Sequence, residues 1–383
     1  MCIFEAMETF ELLNIRLYNQ LLSAHTLKEP HEVVSRMGAM QSQAFDMAKW
    51  AVGSRLENKR VGEVEEALNK GKIIRTHILR PTWHFVSAED IHWMFALSYP
   101  RLKPIYRAYM KSLGVDESLI HRVIPLIEET LIGGKHLIRR EINDALRTWN
   151  IIVDDNTLKW ILSYAEMEGV VVSGCMKGNK QSFTLLEEWI PRKQSLSKEE
   201  ALERLSRKYF TSHGPATVQD FAWWSGLTVT DCRKAVHLIK DNFICETVNG
   251  REFWMRNDIH TPPAGNDSAL LLAPFDEFVV SYKNRSEIIE ENYYSKVMMK
   301  NGLFSPTVIL NGKIIGSWKK TTGKNKPRIE LSFFEKTSKQ KQELFKPAIK
   351  QLEIFYAKTG NTEEMPDEVY GQKYTCVPEV NLK

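Results

Sequence analysis

The sequence predicts an α+β fold, mainly α, in which one order of elements recurs and a β-rich segment closes the chain. Three observations carry this. Helical runs bounded by capping and stop signals are followed by alternating apolar strands around a tight turn. The same order occurs three times. Beyond about Pro262 the apolar period changes from that of helices to that of strands.

The clearest copy starts with a helical run over 199–209, which ends in Ser212-His213-Gly214-Pro215. Thr217 stands three residues before Asp220, the spacing of a capping box, and Gly226 stops the apolar helix that follows. Thr228 and Asp231 repeat the box ahead of a helix over 229–240. Two alternating strands then flank Asn249-Gly250, a hairpin signal. Helix, helix-turn-helix and β-hairpin together make a winged helix. A second copy has helices over 118–134, 136–149 and 156–169, with strands around the tip 177–180. The first copy is looser. It has a helix over 10–23 and another opened by Pro30. A third starts at the Gln41 stretch and runs to about Leu56, and a fourth covers 61–71. The β-rich segment 72–86 follows, divided by Pro81, and Ser87 and Asp90 are expected to cap the next helix, over 88–99.

In the last part, 269–283 and 306–320 read as strands, the latter around Asn311-Gly312. The segment 328–336 reads as another strand, and 338–356 as a helix interrupted at Pro347. The last twenty or so residues read as a tail, docked or loose. The expected domains are a winged helix over 1–90, a second over 91–192, a third over 193–262, and a small β-barrel-like domain with a terminal helix over 263–383.

Composition narrows the classes of function. The 383 residues are 43% hydrophobic and 26% charged, which fits a globular protein with several cores. No apolar run is long enough for a membrane span, and the N-terminus lacks a signal-peptide pattern. Five Cys without a CxxC pair read as reduced thiols, so the expected location is cytoplasmic, nucleoid-associated when on DNA. A net charge of +4 permits a nucleic-acid partner without requiring one. Nucleotide-binding, zinc-protease and α/β-hydrolase signatures are absent, and no metal or cofactor is expected.

Several clusters qualify as DNA-contacting. Arg75, His77, Arg80, Trp83 and His84 fall within ten residues, and an aromatic beside Arg and His suits an unstacked base. Each of Trp83 and His84 also reads as core. Arg233 and Lys234 lie on a candidate reading helix. The strongest basic run holds Lys319, Lys320, Lys324, Lys326 and Arg328, and reads as a phosphate-gripping loop or a solvated one. Few of the helix residues suit direct base readout, so phosphate and shape contacts are the expected mode. Asp276 and Glu277 are adjacent between apolar runs. Paired carboxylates can act as acid and base, but strand neighbours point to opposite faces, so turn chemistry is the expected role.

The segments "RTHILRPTWHFVSAEDIHWM", "SHGPATVQDFAWWSGL", "LLAPFDEFVVSYKNR" and "ILNGKIIGSWKK" resemble the winged-helix DNA-binding family that includes the AlkZ-type DNA glycosylases. The resemblance runs from about residue 10 to about 355. It implies tandem winged helices with a C-terminal β-barrel-like domain, and an enzyme that excises N7-alkylated purines or unhooks interstrand crosslinks in duplex DNA. The family signature is two glutamines, or glutamine and aspartate, around an aliphatic residue. Gln41-Ser42-Gln43 matches it, with Ser42 in the aliphatic position, so the resemblance gives Gln41 and Gln43 catalytic roles. An N7-alkylpurine is already cationic and leaves without a general acid, so carboxamides that hold water suffice. In this reading Gln43 orients the water, and Gln41 holds it or the sugar. The expected partner is damaged duplex DNA, bound by a monomer without nucleotide cofactor. The alternative is a non-catalytic winged-helix DNA-binding protein, a regulator or damage-shielding factor; a third reading is a protein-interaction scaffold.

Overall fold

A computed structural model describes residues 7–178, 180–192, 195–258, 268–299, 302–321 and 327–357. Lys324, Lys326 and the C-terminal tail lie outside them. About half of the chain is helical, with several small sheets. It divides into two compact units. Among the described residues, one comprises 7–64 and 202–357, and the other is Glu65–Ala201.

Within Glu65–Ala201, the expected three helices are Glu117–Leu131, Arg139–Thr148 and Asp155–Met167. Asp154 caps the last by accepting from the Asn156 and Thr157 amides. Strand Ser182–Leu185 pairs with Val171–Ser173 on one side and with the short strand Leu137–Ile138 on the other. Apolar residues at helical spacing, among them Ile127, Ile142, Leu146 and Ile161, meet in one core. The Ile91–Ser112 helix exceeds its expected end: it continues through Pro100 and Pro104, burying Leu102, Tyr106 and Met110 in that core. Packing there outweighs the two backbone donors that proline removes.

In the other unit, Val218–Ser225 has both bonds of its capping box and ends at Gly226 in the left-handed conformation. Val229–Ile239 is capped by the Thr228 hydroxyl. Strands Phe243–Val248 and Arg251–Arg256 form the expected hairpin, with both Asn249 and Gly250 at positive φ. The C-terminal strands correct the barrel expectation. Among the described residues they form an open antiparallel sheet of four, in the order Arg328–Phe333, Lys313–Thr321, Thr307–Leu310, Ala269–Leu272. Four strands are too few to close on themselves around side chains.

Two further expectations change. The predicted strand over 269–283 ends at Leu272. Phe275 takes φ 60°, and Asp276 caps a one-turn helix, Glu277–Val280, by accepting from the Phe278 amide at 2.9 Å. The Gln41 stretch does not open a helix either. Ala39–Gln41 is a strand, and the helix Phe45–Gly53 begins only after Ala44, whose side chain cannot cap it.

Candidate active site

The glutamines stand ahead of the helix, whose N-cap position is Ala44. Gln41 is 8% exposed, Ser42 0% and Gln43 5%. Three polar residues in a row are thus taken from water, which requires specific local partners. The Gln41 amide N–H donates to Glu277 Oε1 at 2.6 Å, across 236 residues of sequence. The other oxygen of Glu277 accepts from Trp224 Nε1–H at 3.0 Å and from the Ser281 hydroxyl, and lies 3.6 Å from His213 Nε2.

At the far end of the motif helix, Arg55 forms a bidentate pair with Asp276 at 2.8 and 2.9 Å, both side chains fully buried. Arg55 also donates to the Ala51 carbonyl and to Gln20 Oε1, and Gln20 donates to the Tyr282 hydroxyl at 3.0 Å. On the motif helix itself, Lys49 is buried and reaches Asp46 at 3.0 Å. The adjacent carboxylates therefore reach opposite ends of the segment 41–55. The expectation that they do not act on one atom agrees with this geometry, although they lie on a turn rather than on a strand.

Burial pushes the Glu277 carboxyl up, but His213, the Ser281 hydroxyl and the Gln41 amide together hold it down at about 2. Burial holds His213 below its ordinary 6.5 despite Glu277. The signs agree. The unfolded chain takes up a proton on His213 below pH 6.5 that the folded chain resists, and on Glu277 below about 4.5. Stability should therefore fall as pH drops from 6.5, and fall further from 4.5 toward 2. Urea midpoints measured against pH check this, and Glu277→Gln should flatten the lower part of the curve. A midpoint independent of pH below 6.5 would contradict the buried pair.

The other predicted residues fall in separate places. In the Glu65–Ala201 unit, strands Ile73–His77 and Trp83–Ser87 pair His77 with Trp83 and Arg75 with Phe85. The Arg75 guanidinium lies 4.6 Å from the Trp83 ring centre, and the His77 and Trp83 ring centres are 4.3 Å apart. Glu166 Oε2 accepts from Trp83 Nε1–H at 3.1 Å and lies 2.7 Å from His77 Nδ1. His84 is buried and donates to the Thr82 carbonyl at 2.9 Å. Both histidines are thus interior, whereas Arg75, Arg80 and Trp83 keep partial exposure.

In the other unit, Arg233 and Lys234 are exposed on the Val229–Ile239 helix. Lys319 is paired with Glu330 at 2.8 Å, which offsets part of the charge of the basic run. Lys320 lies 3.8 Å from the Tyr356 ring centre, and the Tyr356 hydroxyl donates to the Asp46 carbonyl at 2.9 Å. Lys320 is thereby tied to the start of the motif helix. Arg55, Trp224 and His213 were not anticipated as site residues; the signals for them were the acidic pair Asp276-Glu277 inside an apolar run and, for His213 and Trp224, their place in the resembling segment 212–227.

The comparisons with known proteins cover most of the chain. The family model "DNA glycosylase AlkZ-like" matches residues 34–355. An interstrand DNA cross-link repair glycosylase of Streptomyces sahachiroi is 22% identical over 320 residues, covering 79% of this chain and 85% of that protein. The solved structure of Streptomyces sahachiroi DNA glycosylase AlkZ superposes with a TM-score of 0.77 at 19% identity, covering 91% of this chain and 97% of that one. At that identity the superposition speaks for the fold. The family match takes in both the Gln41-Ser42-Gln43 segment and the Asp276-Glu277 turn that holds it, and the chain belongs to the AlkZ-like DNA glycosylase family.

Proposed function

We propose that the protein excises alkylated purines, N7-alkylated or crosslinked, from duplex DNA by hydrolysing the N-glycosidic bond, with Gln41 and Gln43 as catalytic residues. The observation that carries this is the burial and anchoring of the Gln41-Ser42-Gln43 segment by a carboxylate remote in sequence. Family membership adds the class of reaction. An N7-alkylpurine carries positive charge, so the C1′–N9 electron pair passes to the base without protonation. Water adds to C1′ and gives its proton to solvent. The Gln43 carboxamide oxygen accepts from that water and orients it; the Gln41 carboxamide presents its dipole to the developing sugar cation.

We further propose that 1–90, 91–192 and 193–262 act as winged-helix modules, and 263–383 as a β domain with a terminal helix. Arg233, Lys234, Lys319, Lys320, Lys324, Lys326, Arg75 and Arg80 supply phosphate contacts, and Trp83 an aromatic face. His77 and His84, being buried, shape the Trp83 hairpin from inside. The test is release of base from duplexes carrying N7-methylguanine, N3-methyladenine or a nitrogen-mustard crosslink. Wild type should release base, and the Gln41→Ala, Gln43→Ala double variant should be slower by about 100-fold or more. Equal rates would remove the catalytic assignment. Tight, steeply salt-dependent binding without base release on any substrate would instead assign a non-catalytic DNA-binding role.

A further inference from the structure

We propose that Glu277 is a positioning residue of this site: its carboxylate fixes the main chain at Gln41, and with it the direction of both carboxamides. The inference rests on the glycosylase reading above.

Four observations support it. First, the Gln41 amide, at the end of a strand, is held by a carboxylate and not by a carbonyl, and a charge-assisted bond is the shorter and stiffer of the two. Second, the carboxylate itself is immobilised. It is fully buried, and Trp224 and Ser281 hold its second oxygen. Rotation about its last torsion would break bonds on both sides. Third, the turn that presents it is fixed by its neighbour, since Asp276 caps the Glu277–Val280 turn and takes the Arg55 fork. Arg55 lies just beyond the motif helix, so one dipeptide holds both ends of 41–55. Fourth, Phe275 adopts φ 60°, a conformation that a bulky side chain rarely takes. It stands immediately before the two carboxylates, and the turn it makes sends both inward. Strain of this kind persists where surrounding contacts over-determine it, and it gathers at functional sites.

A backbone carbonyl could satisfy a strand amide without a buried charge. Burying a carboxylate costs several times more unless it is fully paired. Placing one against Gln41 therefore serves aim, because carboxamides that orient a single water must be held to within a fraction of an ångström. Glu277 touches neither water nor sugar in this scheme. It acts through Gln41.

The experiment uses the full-length chain and three forms of it: wild type, Glu277→Gln and Glu277→Ala. Each is assayed well below its unfolding midpoint for single-turnover release of N7-methylguanine, for affinity to the same duplex, and for hydrogen exchange at the Gln41 amide without DNA. Glu277→Ala should lower the single-turnover rate about 100-fold with unchanged DNA affinity, and should speed exchange at Gln41. Glu277→Gln keeps one acceptor oxygen and should fall between the two. It also carries the test if the alanine variant does not fold. Wild-type rates in both variants, or losses that match the loss of folded protein and of DNA affinity alike, would overturn the proposal. If wild type releases no base from any alkylated duplex, the glycosylase reading fails by itself. The exchange measurement then decides the positioning claim: unchanged Gln41 protection in both variants rejects it.

Discussion

Replacing Arg55 with alanine is expected to destabilise its unit by about 3–5 kcal/mol, because it leaves the Asp276 carboxylate buried and uncompensated. Both partners are fully buried, and the two N–H···O bonds, at 2.8 and 2.9 Å, have the fork geometry that lysine cannot reproduce. Arg55→Lys should therefore recover only part of the loss. Arg55 also donates to the Ala51 carbonyl and to Gln20, so the change loosens a connected network. Urea denaturation of the single variants and of Arg55→Ala combined with Asp276→Ala forms the check. The double variant should cost clearly less than the sum of the singles, since removing both charges leaves no orphan. A cost under about 1 kcal/mol for Arg55→Ala would mean that the pair behaves as a solvated one.

Phe355→Ala is expected to cost about 3–5 kcal/mol, the range for truncating a buried phenylalanine. The ring is almost fully buried and meets Trp50 edge to face, with centroids 5.2 Å apart. It also presses on the motif helix at Gly53, where a methyl group would overlap the ring. Glycine serves there by permitting close approach of the Lys346–Phe355 helix. Gly53→Ala should accordingly be destabilising by about 1–3 kcal/mol from overpacking. In a Phe355→Leu background the same substitution should cost less, because the smaller side chain makes room. Thermal unfolding of the four variants tests the coupling. Strictly additive shifts would show that ring and glycine do not share the space. Trp50 Nε1–H in turn donates to the Leu271 carbonyl at 2.7 Å, so this contact fixes the motif helix against the C-terminal sheet as well.

The sequence by itself determined many of the local elements. Thr217 with Asp220, Gly226, Asn249-Gly250 and Asn311-Gly312 each act within a few residues, through caps and positive-φ turns, and are realised as the sequence predicts, whereas Thr228 caps its helix without the reciprocal Asp231 bond of a full box. The Gln41-Ser42-Gln43 motif was equally visible, through its resemblance to a family signature. Its setting was not. A run of polar residues ahead of an apolar helix reads as the start of that helix, whereas Ala39–Gln41 is a strand whose end the Glu277 carboxylate holds across 236 residues. Phe275 at positive φ turns a predicted strand into an inward-facing turn, and no local preference announces that, because surrounding contacts impose it. The helix through Pro100 and Pro104 is the same case: core burial outweighs propensity. Capping and turn formation are near-neighbour interactions and are written in sequence order. The aim of two buried carboxylates depends on which distant donors they meet, and that was decided only by the tertiary structure.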